Sequence, residues 1–225
     1  MSSPLRLAVF DCDGTLVDSQ RSIILSMRDS FRRHGLAEPD DNAVKRIVGL
    51  PLLDAIARLA PHVGDDDHIR LKEGYSEAFF ALRRAKTVHE PLYPGVAAGI
   101  DAIAADGWLL GVATGKSLRG LENTLSGHGL LDRFQTLQTS DKAAGKPNPD
   151  MLLQAMAETG VDAASTVMIG DTTYDMEMAR NAGAVAIGVD WGYHETDELY
   201  SAGAEVVVSA FDDLPQAVNR VLENV

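Results

Sequence analysis

The chain is poor in several things, and each shortage removes a class of protein. It has one cysteine, Cys12, so no internal disulfide framework can form. No apolar run approaches the roughly 18 residues that a membrane-spanning helix needs. Positive charge is scarce as well. With 20 Lys+Arg against 33 Asp+Glu the net charge is -13. Such a surface repels nucleic acid and anionic membranes, which leaves a small anion in a local basic pocket as the accessible charged ligand. Gly and Pro number 20 and 9 without a period, which excludes a collagenous or low-complexity chain. The start, Met1-Ser2-Ser3-Pro4-Leu5-Arg6, lacks the basic segment, long apolar stretch and cleavage site of a secretory leader. A cytoplasmic setting is the expectation, with no nucleic-acid or membrane partner and a monomer or homodimer.

What is present is apolar patterning. Of the 225 residues 45% are hydrophobic, enough for one large core or a core with a satellite. Short apolar runs at Leu7-Phe10, Trp108-Ala113, Phe134-Leu137, Thr166-Ile169, Ala184-Val189 and Glu205-Val208 predict strands. They are too continuous for a half-wet antiparallel sheet, and helical patterns separate most of them. This predicts an α/β fold with a doubly wound, Rossmann-like parallel sheet covered on both faces. Asn148 and Pro149 signal a helix start, and Gly183 a left-handed helix end.

Residues 19–90 break the alternation. Ile23, Met27, Ser30 and Phe31 recur at helical spacing, as do Leu71, Tyr75, Ala78, Phe79 and Leu82. Shorter helices are expected around the Gly49-Leu50-Pro51 break. Gly64-Asp65-Asp66-Asp67 reads as a turn and helix start, because calcium-loop spacing is absent. The division expected is an α/β core over 1–18 and 91–225, with an inserted all-helical domain over 19–90. Those inserted residues carry 12 Lys+Arg and 11 Asp+Glu, so the acidity belongs to the core.

The strands run into polar residues: the first into Asp11-Cys12-Asp13-Gly14-Thr15, the second into Thr114-Gly115-Lys116-Ser117, the fourth into Asp171. Ligands of open parallel sheets bind beyond the carboxyl ends of strands, so Asp11, Thr114 and Asp171 can converge. Asp11 and Asp13, at i and i+2, face one side and repel unless a hard cation such as Mg2+ compensates. Cys12 then points into the packed side as a small hydrophobe. Gly14 permits a sharp turn and can aim backbone N–H groups at an anion. Asp171 and Asp175 add two carboxylates at a strand end and helix start. Lys146, stiffened by Pro147, suits a fixed anion contact. Trp191 and Tyr193 follow the fifth strand as rim packing or substrate contacts, and His194 reads as a solvated loop residue.

Two motifs fail on spacing. Ala113-Thr114-Gly115-Lys116-Ser117 lacks the earlier P-loop glycine, since that position is Leu110. A phosphoacceptor signalling receiver would be about half this long, with its acceptor after the third strand.

Taken together, these residues resemble the haloacid dehalogenase-like hydrolase superfamily over essentially the whole chain. Asp11-Cys12-Asp13-Gly14-Thr15-Leu16-Val17-Asp18-Ser19 matches its first motif, and Thr114 its second. Gly145-Lys146-Pro147 matches the third, and Gly170-Asp171 through Asp175 the fourth. The insertion looks like that superfamily's helical cap. Gly188 through Tyr193 looks most like the phosphoglycolate-phosphatase-type branch.

The resemblance implies a Mg2+-dependent phosphatase acting on a small phosphorylated metabolite, phosphoglycolate or a sugar phosphate, through an aspartyl-phosphate. In it Asp11 is the nucleophile and Asp13 the acid and base. Mg2+ lies on Asp11, the Asp13 backbone carbonyl and Asp171, with Asp175 either a direct ligand or a partner behind one, and Thr114, Gly115 and Lys146 bind the phosphoryl oxygens. Candidate substrate contacts are Lys45, Arg46, Tyr75, Phe79, Arg83, Trp191 and Tyr193. Asp13 argues against dehalogenation. Leu50, Leu52 and Leu53 stand where a mutase would carry its cap arginine. Thr114-Gly115-Lys116 departs from the common Ser-Asn-Lys form but keeps the hydroxyl. A phosphosugar mutase, and a non-catalytic phosphate-binding or signalling module, remain the competing readings.

Overall fold

The computed structural model describes residues 5–223; residues 1–4, where the leader reading falls, lie outside it. The strands are β1 (Arg6–Phe10), β2 (Trp108–Thr114), β3 (Thr136–Thr139), β4 (Thr166–Gly170), β5 (Val185–Val189) and β6 (Val206–Val208). They form one sheet in the order β3-β2-β1-β4-β5-β6, with every neighbouring pair parallel. The winding direction reverses at β1, which places the switch point between β1 and β4.

Helices cover both faces. On one, α5 (Val96–Ala105), α6 (Leu118–Gly127) and α10 (Leu214–Glu223) pack over Phe10, Leu110, Val112 and Ile169. On the other, α7 (Asp150–Thr159), α8 (Thr173–Ala182) and α9 (Thr196–Ala202) pack over Leu7, Val9 and Met168. Leu7 and Val9 against Ala8 and Phe10 show the strand's two-residue alternation with both faces apolar, as a doubly covered sheet requires. Cys12 is fully buried beside Phe10 and Leu16, and burial pushes its thiol well up, so it is packing and not a nucleophile.

Between β1 and α5 lie α1 (Gln20–Arg33), α2 (Asp41–Arg46), α3 (Leu52–Leu59) and α4 (Asp65–Arg84), with no strand among the described residues of this stretch. They have their own apolar centre of Ile23, Met27, Phe31, Val44, Ile56 and Leu71. The outgoing and returning chains touch at the junction. The Asp18 N–H donates to the Pro91 carbonyl at 2.8 Å, and the Tyr93 N–H to the Leu16 carbonyl at 3.1 Å. No helix of the described residues is long and apolar enough to cross a membrane.

Two expectations shift. The third strand lies two residues later than its apolar run, over Thr-Leu-Gln-Thr. The Thr136 hydroxyl donates to Glu158 at 2.5 Å, and the Gln138 amide to Thr136 at 2.7 Å, so polar residues are buried by pairing with each other. The helix at Pro149 begins one residue later, at Asp150, whose N–H the Asn148 side chain accepts at 2.9 Å. Gly183 closes α8 in the left-handed conformation, as expected.

Candidate active site

The carboxyl ends of β1 and β4 bring Asp11, Asp171 and Asp175 together. Each is buried, and one carboxylate oxygen from each lies within 4.8 Å of the others. Lys146 reaches this cluster from the β3–α7 loop. Its ammonium is 2.7 Å from Asp11 Oδ1 and 2.6 Å from Asp175 Oδ1, with a fully buried side chain. A lysine is rarely buried unless paired. Burial works against its charge, but Asp11 and Asp175 outweigh that and hold its pKa above the ordinary value.

The other oxygens are arranged by local structure. The α8 start is a capping box: the Asp175 carboxylate accepts from the Thr172 N–H at 3.0 Å and hydroxyl at 2.7 Å. Asp171 accepts from the Thr15 hydroxyl at 2.8 Å and the Tyr193 N–H at 3.0 Å. Gly14, at φ +92°, is what lets Asp171 approach. A Cβ there would sit 2.2 Å from Asp171 Oδ2. The N–H of Gly14 itself is engaged within the turn. It donates to the Val17 carbonyl at 3.0 Å, closing the turn.

Three buried carboxylates face one ammonium. Burial, against the pull of Lys146 and with the push of Asp175, raises the Asp11 carboxyl to about 7. Burial and its neighbours Asp11 and Asp175 raise Asp171 likewise. Asp11 Oδ2 is buried with no hydrogen-bond donor. A clustered, under-compensated set of hard oxygen donors with an orphaned carboxylate oxygen fits a divalent cation such as Mg2+.

Asp13 stands on the cavity side with a separate set of partners. Its carboxylate accepts from the Ser19 hydroxyl and lies 2.8 Å from the Lys116 ammonium. Lys116 is also 3.0 Å from Glu90, and Arg83 of α4 meets the same Glu90 at 2.7 Å. Burial works against ionising Glu90, but Lys116 and Arg83 overcome it and lower its pKa. Lys116 is held up by Asp13 and Glu90 against its own burial. Sequence reasoning missed Lys116, Glu90 and Ser19. The available signal was Lys116 two residues beyond Thr114, and so on the same side of that strand end.

A cavity of about 850 Å3 opens between the helical insertion and the sheet, lined at its floor by Asp11, Asp13, Thr114, Gly115 and Lys116. Tyr75, Phe79 and Arg83 line it from α4. Gly115 allows the insertion to come close: a Cβ there would lie 2.8 Å from the Leu50 carbonyl. Lys45, Arg46, Trp191 and Tyr193 are not among the residues that line the cavity. Lys45 is half-buried on α2, and Arg46 pairs bidentately with Glu198 of α9 at 2.5 and 2.6 Å. The Trp191 indole donates to the Thr15 carbonyl at 3.1 Å and packs against Tyr93 and Phe211, so it is rim packing. His194 is not a solvated loop residue. It is buried, accepts from the Thr173 N–H at 3.1 Å and packs on Tyr174, and burial lowers its pKa.

Known proteins resemble this chain in sequence and fold. The family model for haloacid dehalogenase-like hydrolases matches residues 8–189. A probable phosphatase IndB from Dickeya dadantii is 34% identical over 218 residues, 96% of this chain and 95% of that protein. A phosphoglycolate phosphatase from Rhodospirillum rubrum is 33% identical over 216 residues, 92% of this chain and 87% of that protein. The crystal structure of a predicted phosphatase from Clostridium acetobutylicum superposes with a TM-score of 0.86 at 25% identity, covering 97% of this chain and all of that one. The chain belongs to the haloacid dehalogenase-like hydrolase family, among its phosphatases.

Proposed function

We propose that the protein is a Mg2+-dependent phosphomonoesterase of cytoplasmic metabolites that works through an aspartyl-phosphate on Asp11. The observation that carries this reading is Asp11 itself: a buried carboxylate on the cavity floor, held by Lys146 on one oxygen and free on the other.

Asp11 Oδ2 attacks phosphorus, and the ester oxygen departs as an alcohol. Asp13, two residues on and on the cavity side, protonates that oxygen and then takes a proton from the water that hydrolyses the acyl phosphate. Its carboxylate is kept in place by Lys116 and Ser19. Thr114 and Lys146 bind the equatorial phosphoryl oxygens, where negative charge accumulates in the transition state. Mg2+ would be held by Asp11, Asp171 and the Asp13 backbone carbonyl, with Asp175 orienting Lys146 beside it. When bound, it neutralises the phosphoryl charge and the repulsion among the carboxylates. The helical insertion, residues 19–90, acts as a cap that excludes bulk water during transfer.

The relatives act on, or are named for, phosphate esters, and phosphoglycolate and sugar phosphates are the first classes to assay. The protein should release phosphate from p-nitrophenyl phosphate with Mg2+. EDTA should abolish release, and so should Asp11→Asn. Undiminished turnover by Asp11→Asn would overturn the assignment.

A further inference from the structure

Phosphoryl chemistry at the cavity floor leaves open what the ester carries, and the cavity walls bear on that. Its volume, about 850 Å3, lies within the roughly 300–1,000 Å3 typical of sites for drug-sized ligands, far above what a two-carbon acid fills. The wall above Asp11 is apolar. Tyr75, Phe79 and Phe80 project from α4, and Ile47, Leu50 and Leu53 come from the α2–α3 segment. Phe80 and Leu53 remain 45% and 39% exposed, with the Arg84 guanidinium 5.3 Å from the Phe80 ring centroid.

Charge at the wall is already matched. Arg83 is taken by Glu90, and Lys116 by Asp13 and Glu90. The remaining lining cations, Lys72 and Arg119, are both exposed. The Arg119 guanidinium lies over the Phe80 ring, 5.4 Å from its centroid, and extends that flat surface. A second anionic group beside the phosphoryl would face Asp11 and Asp13 with no free buried cation to receive it.

Polar side chains at the wall are engaged too. The Ser76 hydroxyl donates to the Lys72 carbonyl at 2.9 Å, the Asn123 amide to the Arg119 carbonyl at 2.7 Å, and the Ser140 hydroxyl to the Gly115 carbonyl at 2.7 Å. Asp141 accepts from the Leu118 N–H at 3.2 Å. Apart from the exposed carboxylates Asp54 and Glu77, a polyhydroxylated leaving group would find few open partners there, and burying unmatched hydroxyls is unfavourable.

We propose that the substrate is a phosphomonoester of an uncharged alcohol bearing an aromatic ring, and that this ring rests against the α4 side chains that line the cavity, Tyr75, Phe79 and Phe80. This rests on the phosphomonoesterase reading and narrows it away from short acids such as glycolate.

A series of primary-alcohol esters tests it without changing the leaving group's acidity much: ethyl phosphate, 2-phenylethyl phosphate, glucose 6-phosphate and phosphoglycolate, each with Mg2+. Calorimetry with ethylphosphonate and 2-phenylethylphosphonate, which cannot be hydrolysed, reads binding alone. The expected result is a kcat/KM for 2-phenylethyl phosphate at least about tenfold above the other three. The ring-bearing phosphonate should bind about tenfold more tightly, a difference of about 1.4 kcal/mol. In Phe80→Ala, at an exposed position, both ratios should fall at least about threefold, that is by roughly 0.6 kcal/mol or more. Ratios near one, or phosphoglycolate as the best substrate, would overturn the proposal while leaving the phosphatase reading intact. No hydrolysis of any ester, with the phosphonate ratio preserved, would overturn the phosphatase reading and support the ring site. Loss of both would remove both.

Discussion

Lys116→Met separates a structural ion network from incidental surface charge. The Lys116 ammonium lies 2.8 Å from Asp13 and 3.0 Å from Glu90, with 11% of its side chain exposed. Methionine keeps much of the stem and removes the charge, leaving two carboxylates without the cation between them. Removing one partner of a buried pair costs about 3–5 kcal/mol. Glu90 keeps Arg83 at 2.7 Å and Asp13 keeps the Ser19 hydroxyl. The lower end, about 3 kcal/mol, is therefore expected. For a chain of this size each kcal/mol moves Tm by about 2–4 °C, so Tm should fall by about 6–12 °C. Thermal melts of Lys116→Met, Glu90→Gln and the double variant complete a cycle. Neutralising Glu90 removes one of the stranded charges, so the double variant should be more stable than the sum of the single effects by about 1 kcal/mol or more. A Tm drop below about 2 °C, or strict additivity, would refute the reasoning.

The buried carboxylate cluster carries a pH signature. The Asp11 carboxyl is raised to about 7 and that of Asp171 is raised as well, both chiefly by burial. These groups hold protons in the fold that they release when unfolded, so together they make the metal-free fold less stable as pH rises from about 4 through about 7. A divalent cation competes with those protons. The rise in Tm on adding Mg2+ should therefore be larger at about pH 8 than at about pH 5.5. Equal increments would contradict the assignment. Gly14→Ala should weaken Mg2+ binding measured by calorimetry at least about tenfold, about 1.4 kcal/mol, because its Cβ would displace Asp171 Oδ2 from 2.2 Å at a backbone φ of +92°. Unchanged affinity would show that Asp171 does not hold the ion.

Strand ends explain why most of the candidate site can be read from the chain. Asp11, Thr114 and Asp171 each follow an apolar run, and a parallel sheet gathers such positions at one edge whatever their separation in sequence. Asp175 was legible as a helix-start acid, and Lys146 through its neighbouring prolines. The ion network was not legible in the same way. Arg83, Glu90 and Lys116 pair across the junction between the insertion and the sheet, and no local period marks such a pairing. One aromatic could not be assigned from the chain alone. Trp191 sits in a loop at the rim, but its indole turns back onto Tyr93 and Phe211, a direction set by tertiary packing. The third strand slipped because Thr136 and Gln138 are buried through side-chain hydrogen bonds, which an apolar run cannot reveal. His194 escaped for a related reason. Its burial comes from Thr173 and Tyr174 of α8, not from its own segment.

The central claim is covalent transfer to Asp11, and borohydride trapping tests it most directly. Borohydride reduces an acyl phosphate at an aspartate to homoserine. Quenching the enzyme during turnover of p-nitrophenyl phosphate with Mg2+ and sequencing its peptides by mass spectrometry should find homoserine at position 11, dependent on substrate and metal. Asp11 recovered unmodified under steady turnover, or homoserine at Asp13 or Asp171 instead, would contradict the account.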